Sequence, residues 1–166
     1  MLSISKPRIQ VKRSLTCSTT GLPVEIYATI MDFEAYFGKT IHAGLIKDEY
    51  KDKFGYEYAL AIFNSKYIDY LYRQKVLETG KVFPQVKLKY LRDLPFVIAK
   101  PKQEGSVASL AKKMIELNKK LREVADNSND WQKLQDEIAK TDQKVDQEVY
   151  KLYGLTEEEI KIVEGK

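Results

Sequence analysis

The sequence predicts an α+β protein: a small β-sheet with packed helices, then an antiparallel helical hairpin and a short C-terminal helix. Three observations carry that prediction. Early apolar residues alternate with polar ones at a period of two. From Tyr56 the apolar spacing changes to three and four. From Val107 that spacing becomes strict and runs twice, with a short polar break over 125–130.

Taken in order, Ile9 and Val11 alternate with Arg8, Gln10 and Lys12, which predicts a first strand. Residues 14–21 are small and polar and read as a long hairpin loop. Val24, Ile26, Ala28 and Ile30 alternate with Glu25, Tyr27 and Thr29, a second strand. A loop carrying Phe33, Tyr36 and Phe37 leads to a third strand over 40–46. Tyr56, Ala59, Leu60, Phe63, Tyr67, Tyr70 and Leu71 predict helix, split in two by a cap at Asn64-Ser65 and ended by Gly80. Val86 and Leu88 alternate with Lys87 and Lys89, a short strand or extended run, and 101–105 reads as a linker. Val107, Leu110, Met114, Leu117, Leu121 and Val124 form one helical seam. Trp131, Leu134, Ile138, Thr141, Val145, Val149 and Leu152 form the next. Two such helices on a short link fold back on each other. Thr156, followed by Glu157, Glu158 and Glu159, caps a last helix.

The chain has 166 residues, 43% hydrophobic and 31% charged, enough for one domain or a domain with an appendage. Charge divides it. Residues 1–104 hold 17 Lys+Arg and 11 Asp+Glu, a net +6. Residues 105–166 hold 11 and 13, a net −2. A basic head over 1–104 and a helical arm over 105–166 follow, and the head is the better match for a polyanion. Cys17 is alone, which excludes an internal disulfide and fits a reducing, cytoplasmic setting. No apolar run suits a signal peptide or a membrane span. His42 is read as a packed or surface histidine on a strand. No two glycines lie within two positions of each other, so there is no Gly-x-Gly nucleotide loop and no phosphate-cradling P-loop. One His and one Cys leave little material for nucleophilic triads.

The head's positive charge is concentrated. Between Arg73 and Arg92 lie six cations, Arg73, Lys75, Lys81, Lys87, Lys89 and Arg92, against one acid, Glu78. Tyr72, Phe83 and Tyr90 are threaded among them. Most charge runs are simply solvated faces, yet cations beside flat rings are what a phosphate backbone and base edges call for.

Four short runs add a resemblance. Leu60-Ala61-Ile62-Phe63-Asn64-Ser65-Lys66 is similar to a helix of the TaqI-like C-terminal specificity domains of adenine-specific DNA methyltransferases and fused restriction–modification enzymes. Gly80-Lys81-Val82-Phe83-Pro84 with Leu91-x-x-Leu94-Pro95 resembles that family's next signature. Val149-Tyr150-x-Leu152-Tyr153-Gly154-Leu155-Thr156 and the following acids resemble its ending, and Pro7-Arg8-Ile9-Gln10-Val11-Lys12-Arg13 its opening strand. The runs occur in the family's order over most of the chain, and type I restriction specificity subunits use a related plan. The resemblance implies a target recognition domain that binds double-stranded DNA and has no catalytic activity of its own. It implies as partner a methyltransferase domain, and in fused systems a nuclease domain, in the same chain or another. S-adenosylmethionine would bind that partner, since the family's glycine motif and Asn-Pro-Pro-Tyr-type motif are not in this sequence.

On this reading Arg73, Lys75, Lys81, Lys87, Lys89 and Arg92 contact phosphates and set register. Arg13, Ser14, Thr16, Ser18, Thr19 and Thr20 in the first hairpin, with Lys39, are the candidate base readers. Each has a plainer role: Ser and Thr favour loops for backbone reasons, Arg73 and Lys75 suit a helix C-terminus, and Lys81 suits a turn. Phe83, Pro84, Leu94 and Pro95 are expected to pack and turn the chain. Two rival classes are a helical-hairpin adaptor that does not bind DNA and a small nuclease built on scattered acids and a lysine.

Overall fold

Residues 2–4, 14–18, 25–33, 41–76 and 87–166 are described by the computed structural model, the first two segments by backbone alone. Four strands build the sheet: β1 (Leu2–Ile4), β2 (Ser14–Ser18), β3 (Tyr27–Met31) and β4 (His42–Ile46). Their order is β1-β4-β2-β3 and each pairing is antiparallel. The expected hairpin loop over 14–21 is therefore corrected at its start. Ser14 to Ser18 form an interior strand, paired with β3 on one side and β4 on the other. Thr is a good strand residue, and two neighbouring ladders outweigh the local turn preference of Ser and Thr. The strand expected at Ile9–Val11 lies outside the described residues. β3 begins at Tyr27, and β4 at His42, the half-buried histidine of the sheet.

The period of two in β3 sorts its side chains. Ile26, Ala28 and Ile30 join the core, whereas Tyr27 is 51% exposed. Against that apolar face lies α1 (Tyr56–Phe63), which touches both β2 and β3. Five successive residues, Tyr58, Ala59, Leu60, Ala61 and Ile62, are all buried. A helix apolar all round must be covered all round, and α1 has the sheet on one side and the helical hairpin on the other. Phe54, Tyr58 and Phe63 surround the Phe96 ring at 4.8, 5.9 and 6.2 Å.

α2 (Lys66–Lys75) follows the expected break: the Ser65 hydroxyl accepts from the Ile68 amide and donates to the Ile62 carbonyl. α2 ends at Lys75, and Gly80 lies outside the described residues. The extended run expected around 86–89 is a correction too, because Leu88–Arg92 form a short helix, α3. Its Leu88 and Leu91, three apart, turn together to the core; burial of that pair overrides the two-residue alternation.

The linker expected over 101–105 is likewise helix. α4 (Pro101–Leu121) starts at Pro101, whose fixed φ and missing N–H suit a first helical turn. Lys100 before it is extended, as a residue preceding proline should be. Glu104 then fixes this turn to the start of α1 by accepting from the Gly55 amide at 3.1 Å. α5 (Asn129–Tyr153) runs back, capped by Ser128, after a turn in which Asn127 adopts φ +61°. Gly154, at φ +68°, closes α5 by letting its own amide and that of Leu155 reach the Lys151 and Tyr150 carbonyls. α6 (Glu157–Glu164) has the expected Thr156 cap, completed by Glu159 returning to the Thr156 amide. The core is continuous: Val107, Ala108, Ala111, Val145 and Val149 of the hairpin share it with Tyr58, Leu60 and Ile68.

Candidate nucleic-acid interface

The cations of α2 and α3 are positioned by a joint that begins at the Asn64-Ser65-Lys66 run. Among the described residues β3 ends the sheet, and a sheet edge needs cover. Asn64 supplies it. Its Oδ1 accepts from the Ala28 amide at 2.7 Å and its Nδ2 donates to the Ala28 carbonyl at 3.0 Å. The next edge amide, that of Ile26, donates to Asp69 Oδ1 at 2.6 Å. Burial pushes the Asp69 carboxyl up to about 6, against the opposing effects of the Ile26 amide and the Arg73 guanidinium. Lys66 ties the same joint to the arm: its amide donates to Asp146 Oδ1 at 2.9 Å. Lys66 Nζ stands 3.3 Å from Asp146 Oδ2, out of line for a hydrogen bond. Burial raises the Asp146 carboxyl above its ordinary range, as it does the neighbouring Tyr150 phenol.

The Asp69–Ile26 bond tethers α2 beside the residue that precedes β3, and the last turn of α2 carries Arg73 and Lys75. Arg73 is half-buried beside Asp69, and its Nε has no hydrogen-bond partner among the described residues. Lys75 is exposed. Tyr72, fully buried between them, reaches out with its phenol oxygen and accepts from the Lys87 amide at 2.8 Å. That bond fastens the start of α3 to the end of α2. Lys87, Lys89 and Arg92 are exposed on α3, and Lys89 Nζ lies 5.9 Å from the Tyr90 ring centre. The chain leaving α3 is held by two phenols: Tyr153 donates to the Pro95 carbonyl and Tyr58 to the Val97 carbonyl, each at 2.9 Å. Leu94 packs on the core, as the sequence led us to expect.

The Tyr72–Lys87 bond thus sets the helix end that carries Arg73 and Lys75 against the start of the segment that carries Lys87, Lys89 and Arg92. The hairpin candidates divide. Ser14, Thr16 and Ser18 occupy β2 rather than a loop, in register with Met31, Thr29 and Tyr27. Directly opposed residues share a sheet face, and these pairs alternate with Ile30 and Ala28, which belong to the core. Their positions therefore fall on the face turned away from α1. Arg13, Thr19, Thr20, Lys39 and Lys81 lie outside the described residues. Sequence reasoning missed Asp69 and Asp146 as the two carboxylates that set the joint. Asp146 did leave a signal, as an acid between the seam residues Val145 and Val149.

Among the described residues, no three His, Cys, Asp or Glu side chains are grouped to hold a metal ion. No described helix is long and apolar enough to cross a membrane. In comparisons with known proteins, the chain matches no family model and no curated protein.

Proposed function

We propose that this chain is a target recognition module that binds double-stranded DNA and directs a separate adenine methyltransferase domain to its site. The observation that carries this reading is the Tyr72–Lys87 bond, which sets the start of α3, with exposed Lys87, Lys89 and Arg92, against the end of α2, with Arg73 and Lys75. Cations brought by two joined helix ends suit phosphates better than cations on unconnected segments do. The similarity of the Asn64-Ser65-Lys66 and Leu91 to Pro95 runs to specificity domains points the same way. Phosphate contacts fix register, and sequence is read from the β2–β3 face bearing the positions of Ser14, Thr16 and Ser18. Arg13, Thr19, Thr20 and Lys39 as base readers and Lys81 as a phosphate contact belong to this proposal from the sequence alone. The chemistry on the base, and S-adenosylmethionine with it, belongs to the partner domain.

Selection from random duplexes, with this module alone and joined to its catalytic partner, tests the proposal. Enrichment of one site is the expected result. The charge reversal Lys87→Glu with Lys89→Glu should weaken binding to all duplexes alike and lower the salt slope by about 2, near 0.9 per lost phosphate contact. Indifference of the wild-type chain to DNA at low salt would end the proposal and leave the hairpin adaptor. Magnesium-dependent nicking that persists through repurification would revive the nuclease.

A further inference from the structure

The arm carries a second basic track, although residues 105–166 are net acidic. On α5, Lys133, Lys140, Lys144 and Lys151 are spaced 7, 4 and 7 residues apart, and all four are exposed. At about 100° per residue, those spacings return to within roughly 20° of one direction, so the lysines form a row about 27 Å long. On α4, Lys113 and Lys120, again 7 apart, run alongside. Lys113 Nζ crosses the seam to Glu137 Oε1 at 2.7 Å, which puts the two rows side by side. Lys113, reinforced by Lys120 and Lys140, holds the Glu137 carboxyl below its usual range.

Five acids share this face, among them Glu116 and Asp136, each one turn from two of the lysines. Glu137 pairs with Lys113, Asp130 with Lys133 and Glu148 with Lys151. Lys120, Lys140 and Lys144 have no ion pair among the described residues. Six lysines against five acids leave the face at +1, with acids such as Glu157, Glu158 and Glu159 gathered on α6. Nearest the head the rows part into an open groove of about 420 Å³. Ser106, Ser109 and Leu110 line one side, and Lys144, Gln147, Glu148 and Lys151 the other, with Glu148 paired to Lys151.

We propose that this face of the hairpin binds the phosphate backbone of duplex DNA as a second contact beside the head. The inference rests on the DNA-binding reading above and adds the arm to it. A straight, regularly spaced cation row suits a linear polyanion. Lysine, serine and glutamine are the side chains that contact phosphate oxygens. A protein partner would call for aromatic or apolar anchors, and lysine is depleted from the cores of such interfaces. Leu110, half-buried, is the groove's one apolar lining residue.

Fluorescence anisotropy of the full chain against a mixed-sequence duplex, over a range of salt, tests this. The arm variant combines Lys140→Gln, Lys144→Gln and Lys151→Gln; the head variant combines Lys87→Gln, Lys89→Gln and Arg92→Gln. Circular dichroism confirms that each is folded, and the single Lys144→Gln change repeats the arm test with less perturbation. Each triple variant should lower the slope of log K against log salt by about 2–3. An arm variant that binds like wild type, beside a weakened head variant, overturns the arm contact and leaves the DNA reading standing. A wild-type chain that binds no duplex ends both. An arm variant that keeps its DNA affinity but loses binding to polyglutamate replaces the phosphate backbone with an acidic polypeptide.

Discussion

Asp69 does two jobs with one carboxyl. It accepts from an edge amide of β3, and it carries a charge into a desolvated place. The two jobs separate with pH. Its native pKa, pushed up to about 6, lies above the unfolded value near 3.8, so the native state holds the proton more tightly. Stability from this group is fully present below about pH 4 and is lost as pH rises through about 6. Asp69→Asn keeps an acceptor for Ile26 and removes the charge. It should raise stability at pH 7 by on the order of 1 kcal/mol and flatten the pH dependence between about 4 and 6. Urea midpoints of both proteins across that range give the answer; parallel curves would refute it. Asn64, one turn away, was legible in the sequence only as a helix cap. That its amide imitates a neighbouring strand at Ala28 depended on β3 being an edge.

Among the elements, α2 is the hub, since sheet, arm and α3 all attach to it. Asp146 makes the arm's attachment from another helix by accepting the Lys66 amide in α2's first turn. A carboxylate there also meets the positive end of the helix dipole. Asp146→Ala leaves that amide without its acceptor and should cost about 1–3 kcal/mol. Asp146→Asn, which keeps an acceptor, should cost less. Amide exchange at Lys66 should quicken selectively in the alanine variant. Equal exchange in all three proteins would show that the bond does not hold the joint. The elements themselves were unevenly legible. α5 and α6 announce themselves by a long seam and by a Thr156–Glu159 capping box, both local signals. β2 and α3 do not, because each is short and owes its state to partners distant in sequence: two ladders for β2, and a buried Leu88–Leu91 pair for α3.

At the scale of the molecule, the charge boundary at residue 104 is not a boundary in the packing. Val107 and Ala111 of the arm lie in the same core as Tyr58 and Ile62 of the head. Head and arm should therefore unfold together. Trp131, the chain's single tryptophan, sits near the far end of the hairpin and reports on the arm, while far-UV circular dichroism reports on the whole. Coincident urea transitions by the two probes are expected. A Trp131 transition that precedes the other would show an independent arm. On the DNA-binding reading proposed above, the shared core would hold the head and arm contacts at a set spacing.

By itself the sequence determined what depends on neighbours along the chain: helical periods, capping residues, the break at Asn64-Ser65, and the uneven spread of charge. Those signals act within a turn or two of helix, so they survive without knowledge of the fold. Tertiary structure alone decided that Ser14 to Ser18 would be a strand, that Asp69 and Asp146 would hold α2 between sheet and arm, and that the Lys87 amide would meet the Tyr72 phenol. Each is a contact between residues far apart in sequence, made favourable only when a shared core brings them together and removes the water that would otherwise satisfy their polar groups.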